Sequence, residues 1–329
     1  MNIRSPRSLL LQGPVASSLP RRVKTLFCVF AASTFGVAPL EAAWTLYQNF
    51  DALPVGYDIA DNSNPNENFT VATQDIGAGN SGARYGGYTV ISDPTNAGNK
   101  LLELDAVGYA FTGQIVDAST GTANPIVNLQ TGTLFYRVYR ESVNNTPDIN
   151  FGGADIGTVT DNTNNAANYQ SQLNVSGGSV MAGTTDIFRP RNGGGTVDTG
   201  VHWSSGTWFG IFQVIDTQAN TTQFYYQGEF DPVPILLTGP GGSPSNMAFR
   251  NGVSRPSTDI GYFLAVNGLP GGGVNDIFYL DDIYIDTTNI NLVAPVSITS
   301  VPEPASAAYA LSVLCGVVVV ARCRRHRVR

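Results

Sequence analysis

Trp208 to Gly228 reads WFGIFQVIDTQANTTQFYYQG, two apolar runs on either side of a short polar stretch. In the first run Trp208, Phe212 and Val214 alternate with Phe209, Ile211 and Ile215. Successive side chains of a strand point to opposite faces, so a run that is apolar on both faces suits a central strand buried on both sides. The second run, Gln223-Phe224-Tyr225-Tyr226-Gln227, follows the polar residues Gln218 to Thr221. The pair is predicted to be a β-hairpin.

Outward from this hairpin the pattern repeats. Short β-branched and aromatic runs alternate with Gly, Asn, Asp, Pro and Thr clusters, and no amphipathic helical period appears between Trp44 and Val301. Further strands are predicted at Lys100–Ala106, Thr133–Arg140, Ser171–Val175, Ile260–Val266 and Ile277–Asp286. In Thr133–Arg140 one face carries Leu134, Tyr136 and Val138, and the other Phe135, Arg137 and Tyr139. The polar stretches Gly152–Tyr169 and Gly239–Asn246 read as surface loops. The fold class expected is all-β, a single sandwich over residues 44–290, with a spacer over 291–301.

The two ends differ from this body. Arg21, Arg22 and Lys24 precede the apolar run Leu26 to Val37, and Pro39 follows ahead of the small residues Ala42 and Ala43. That order is a secretory signal peptide, residues 1–42, read by the Sec translocon and cut by signal peptidase after Ala42. Its apolar run makes about 18 Å of helix, too short to span a bilayer. At the other end Val301-Pro302-Glu303-Pro304 precedes an uncharged apolar stretch, Ala305 to Ala321, and the tail RCRRHRVR. The stretch makes about 26 Å of helix, a single transmembrane span at the lower limit of length. Its arginines would stay in the cytoplasm and hold the body outside. Pro302, Glu303 and Pro304, the span and the arginine tail over 302–329 resemble the PEP-CTERM sorting signal. That resemblance implies an exosortase as partner, transient anchoring, and release to the cell surface or extracellular matrix.

Charge is uneven. Ten of the 18 basic residues lie in the two ends, leaving eight against 23 acidic ones in the body, a formal charge of −15. So acidic a body argues against nucleic acid and anionic glycans as partners, and favours divalent cations or neutral ligands. All three cysteines, Cys28, Cys315 and Cys323, fall in the ends, so the body has neither disulfides nor thiolate metal sites. His202 is its only histidine and Lys100 its only lysine.

Three pieces of the body resemble the concanavalin A-like lectin/glucanase superfamily and jelly-roll carbohydrate-binding modules. They are the opening Tyr47 to Gly56 (YQNFDALPVG), the hairpin Trp208 to Gly228, and the close Phe278 to Ile285 (FYLDDIYI). The resemblance implies a jelly-roll sandwich and a structural calcium where first and last strands meet, with Asp51 and Asp282 as ligands and Asp281 as substitute. Glucanases of this superfamily carry a Glu-x-Asp-x-(x)-Glu run. The body's four glutamates, Glu67, Glu103, Glu141 and Glu229, form none, and Glu103-Leu104-Asp105 lacks the second glutamate. A lyase would need a Tyr, His or Lys base and a neutralising Arg; Arg137 and Arg140 sit beside Tyr136 and Tyr139.

Flat sugar faces stack on exposed rings, which makes Trp203, Tyr139, Tyr225 and Tyr226 the candidate glycan contacts. His202-Trp203 lies in a Gly/Ser-rich stretch and is the least core-like. The expectation is therefore an exported lectin-like protein that binds a neutral extracellular polysaccharide and performs no catalysis. The alternatives are a glycan-degrading enzyme of the same fold, lyase or atypical hydrolase, and a purely structural matrix protein.

Overall fold

The structure, a computed structural model, describes residues 44–57, 74–75, 88–96, 98–104, 109–114, 116–117, 122–140, 148–155, 169–176, 187–250, 259–267 and 277–298. The signal peptide, the Pro302–Pro304 motif, the apolar stretch 305–321, Glu67, Asp105 and Glu141 lie outside them. No helix among the described residues is long and apolar enough to cross a membrane.

In chain order the strands are β1 (Thr45–Gln48), β2 (Gln74–Asp75), β3 (Tyr88–Ser92), β4 (Lys100–Leu104), β5 (Tyr109–Gln114), β6 (Val116–Asp117), β7 (Thr122–Ala123), β8 (Thr131–Arg140) and β9 (Asp148–Asp155). They continue as β10 (Tyr169–Ser176), β11 (Ile187–Asn192), β12 (Gly195–Thr196), β13 (Phe209–Asp216), β14 (Thr221–Gly228), β15 (Ile235–Leu236), β16 (Met247–Ala248), β17 (Ile260–Asn267) and β18 (Phe278–Asp286). The first sheet runs β15-β14-β13-β8-β18-β4-β3, with β1 beside β18 and β16 beside β14. The second runs β12-β11-β10-β9-β17-β5-β2. Both are antiparallel throughout, and the protein is an all-β sandwich. The predicted loop from Gly152 begins later than expected, because β9 continues to Asp155.

The alternation read from the sequence places the core. Leu134, Tyr136 and Val138 of β8 and Phe209, Ile211 and Ile215 of β13 meet Ile149, Phe151, Leu173, Val175 and Phe263 of the second sheet. The hairpin is β13–β14, with Asp216 opposite Thr221 across the turn. Glu103 faces away from the core while Leu102 and Leu104 are buried, as expected of that strand.

The spacer expected over 291–301 is corrected by the structure. Residues 287–298 lie across the outer face of the first sheet. Asn289 and Asn291 bracket Thr133, whose hydroxyl donates to Asn289 O (2.8 Å) and accepts from Asn291 N (2.9 Å). Trp44 Nε1 donates to Val293 O at 2.8 Å. Ile298 packs with Leu101, Trp208 and Tyr279 in a second apolar cluster. Gly210 makes this fit possible: a Cβ there would stand 2.7 Å from Ile298 Cδ1 and 2.9 Å from Phe135 Cε2. The strap explains why β13 is apolar on both faces, since one face meets the second sheet and the other the strap.

Candidate functional site

Under the strap lies a buried ionic cluster. Arg137 Nη2 is 2.7 Å from Asp281 Oδ2 and also pairs with Asp282 Oδ2, and its guanidinium stacks 4.7 Å above the Trp208 ring. Asp281 and Asp282 form a bulge in β18, with Asp282 at φ 51°, a left-handed conformation that Asp tolerates better than most residues. Before the bulge β18 pairs with β4; after it, with β1. Burial pushes both carboxyls above their ordinary pKa, while Arg137 beside them pulls the other way. Burial works against the charge on Arg137, but Asp282 and Asp281 outweigh it and hold its pKa above the ordinary value. Tyr284, part-buried and near the same carboxylates, is pushed up to about 12.

The proposed calcium ligands are thus met from within the chain. Lys100 Nζ donates to the carbonyls of Asp51 and Leu53, both at 2.6 Å, and Lys100 N donates to Asp51 Oδ1 at 3.1 Å. Asn99 Nδ2 donates to Asp281 Oδ2 at 2.8 Å. No group of three or more His, Cys, Asp or Glu placed to hold a metal occurs among the described residues. Arg137 pairs with one oxygen of each of Asp281 and Asp282.

The glycan contacts fare unevenly. Trp203 is corrected: it is fully buried, stacked on Phe188 at 5.9 Å, and belongs to the main core. The Gly/Ser-rich flanks that made it look exposed describe only its neighbours, and His202 is indeed exposed. Trp203→Ala is expected to lower stability by about 3–5 kcal/mol, the usual cost of emptying a large aromatic site. Denaturant unfolding measures this; an unchanged midpoint with weakened glycan binding would restore the platform reading. Tyr139 packs against Trp208 and Tyr279 in the cluster beneath the strap. Tyr225 and Tyr226 are half-buried on β14, near the sheet edge. The structure does not bring these four rings into one strip.

A polar array that the sequence reading did not single out stands on the second sheet. Ile149, Phe151, Leu173, Val175 and Phe188 point into the core, so the residues between them face away from it. Register sets Arg189 opposite Asn174 and Asn174 opposite Asn150 in one cross-strand row. In the next, Gln172 is opposite Gly152, and Gly152 opposite Leu264. Gln172 Nε2 and Asn174 Nδ2 both donate to Asn150 Oδ1 at 2.6 Å. Gln172 Oε1 accepts from Arg250 Nη1 at 2.7 Å and from Arg191 Nε at 3.4 Å. Arg189 Nη2 lies 3.4 Å from Asp198, while its buried Nε has no partner. Tyr262, half-buried, sits opposite Ala154, one row further along the same face.

The signal was present in the sequence. Gln170-Ser171-Gln172-Leu173-Asn174 has an amide at every second residue, and Arg189-Pro190-Arg191 has guanidiniums two apart. Three of the body's eight basic residues, Arg189, Arg191 and Arg250, gather here. The net charge therefore does not describe this face.

No family model matches the chain, and no curated protein matches it. Solved structures do. It is similar to a GH131 beta-glucanase catalytic domain from Podospora anserina at 16% identity and TM-score 0.37, over 64% of this chain and 81% of that one. The catalytic domain of the glycoside hydrolase family 131 protein from Coprinopsis cinerea matches at 12% identity and TM-score 0.42, over 79% and 98%. A Trypanosoma rangeli sialidase in complex with sialic acid matches at 12% and 0.36, over 58% of this chain and 26% of that one. Catalytic domains stand among these matches, in contrast with the expectation of a body without catalysis.

Proposed function

We propose that the chain is an exported protein, sorted by an exosortase through Pro302, Glu303 and Pro304, whose jelly-roll body degrades a glycan at the cell surface. The export and sorting parts rest on the signal-like ends of the sequence. The enzymatic part rests on one observation, the array of amides and guanidiniums aligned by register across β9, β10 and β11.

On this face Asn150, Gln172, Asn174 and Arg189 are buried and Arg191 and Arg250 half-buried, so the two outer guanidiniums offer donors to sugar hydroxyls and the buried amides hold them in place. Their mutual hydrogen bonds hold them in place before a ligand arrives, which lowers the ordering cost of binding. Cleavage of a glycosidic bond requires a proton for the departing oxygen, and Tyr262 is the group placed on this face to supply it. Gly152 lets β9 and β10 approach closely at this row: a Cβ there would collide with Ser171 O.

The test is a panel of neutral and acidic polysaccharides incubated with the full chain, read by new reducing ends and by unsaturated sugar ends. Cleavage of any member, abolished by Asn150→Ala with the fold intact, supports the reading. No cleavage across the panel refutes the enzymatic part. Cell fractionation with Glu303→Ala tests the sorting part separately: the variant is expected to stay in the membrane. A calcium titration of thermal stability decides the metal proposal at Asp51, Asp281 and Asp282.

A further inference from the structure

We infer that the loop joining β14 to β15 is a membrane-contact surface, and that it rests on the lipid bilayer holding the chain's own apolar stretch 305–321. The inference rests on the reading of that stretch as an anchor and adds how the body stands on the membrane before release.

Three of the nine exposed large apolar side chains among the described residues fall within six positions here: Phe230, Val233 and Ile235. Phe230 is the most open of the nine, at 89%. Pro232 between them is exposed as well. Of the loop's two acids, Glu229 is half-buried and Asp231 is turned inward. Asp231 Oδ2 accepts from Gly228 N at 2.8 Å, and Asp231 N donates to Gly228 O at 3.1 Å. Gln227 Nε2 closes the same turn on Asp231 O at 2.9 Å. Pro232 and Pro234 fix the backbone on either side of Val233, so the apolar groups are held in place and lose little freedom on contact.

The strap identifies the occupant. It passes Thr133 at Asn289 and Asn291, then reaches Arg137 at Ser297 and Gly210 at Ile298. It therefore travels along β8 toward that strand's close at Arg140. Register sets Arg137 beside Gly210 and Gly210 beside Gln227, so Ile298 lies one row from Gly228, where the β14–β15 loop begins. Ile277, also exposed, is at the same end, next to Phe278 opposite Arg140. Seven positions separate Ile298 from Ala305, at most about 25 Å of fully extended chain. A span that starts within that reach holds this end of the sandwich, and not the other, against the lipid surface.

Aromatic and aliphatic side chains enter the boundary between headgroups and acyl chains, and a body of charge −15 has no attraction to anionic lipid. Three side chains bury too little area to hold a free body on a membrane. The short tether makes the contact intramolecular, so the loop binds while the anchor is present and lets go once it is cut.

The full chain reconstituted in phosphatidylcholine vesicles tests this, with Cys28→Ser, Cys315→Ser and Cys323→Ser leaving one thiol for a fluorophore. The label is carried by Phe230→Cys or, as control, by Leu129→Cys, an equally open apolar site before the start of β8. Iodide in the water is expected to quench the label at position 230 several-fold less than that at 129, at low and at high salt. Val233→Cys is the second label site should Phe230→Cys fold poorly, and the same protection is expected there. Equal quenching at both ends overturns the contact. Protection that grows with the ratio of protein to lipid assigns the loop to a second copy and also overturns it. Flotation of the vesicles separates the two readings. A chain that floats with the loop open to iodide keeps the anchor and removes the contact, and a chain that does not float removes both.

Discussion

Arg137→Met is expected to destabilise the body by about 3–5 kcal/mol, the usual cost of stripping one partner from a buried ion pair. The variant leaves Asp281 and Asp282 buried beside one another with no guanidinium to balance them. It also removes the cation stacked on Trp208 and the donor that reaches Ser297 O at 3.4 Å. At roughly 2–4 °C per kcal/mol for a domain of this size, the melting temperature should fall by about 6–20 °C. Adding Asp281→Asn and Asp282→Asn should recover much of the loss, because neutral amides carry no charge to desolvate and Asn accepts the left-handed backbone at position 282. If the triple variant is no more stable than Arg137→Met alone, the cluster is not held by charge. Removing Arg137 also opens Asp281 and Asp282 to calcium, so a calcium-dependent melting temperature in this variant alone would identify the guanidinium as the ion's substitute.

Tyr262→Phe is expected to lower turnover on the cleaved glycan by about 10²–10⁴-fold, the range a positioned proton-transfer group supplies. The substitution keeps the ring and removes one oxygen, so β17 should fold unchanged, and ligand affinity should shift little. A fall in kcat with KM nearly constant marks an interaction made in the transition state rather than in binding. If kcat stays within a factor of two, the proton comes from elsewhere on the face.

The strands were legible because the fold is written in alternation. β8, β13, β14, β17 and β18 follow runs whose period-two pattern is plain in the chain. Contact between the sheets and the strap was not. Residues 287–298 look like linker by composition, and only the small Gly210, far back in β13, records that something lies against it. The Asp281–Asp282 pair is visible as two charges in an apolar run, but its partner Arg137 is 144 residues away. Local sequence therefore shows the acidic pair without the guanidinium that meets it. Trp203 was misread for the opposite reason: flexible-looking neighbours say nothing of where the indole points.

The second-sheet array shows both limits at once. Gln172, Asn174, Arg189 and Arg191 each announce an outward face through alternation, yet only the register of β9, β10 and β11 makes them one surface. A formal charge of −15 over the body hid three arginines gathered on that surface.

Hydrogen–deuterium exchange of the full chain, with and without the glycan that binds it, locates the binding face. Protection is expected in β9, β10 and β11 and around Arg250, with Tyr225, Tyr226 and the strap unchanged. Protection confined to the β14–β15 edge or to the strap, with the second sheet untouched, would contradict it.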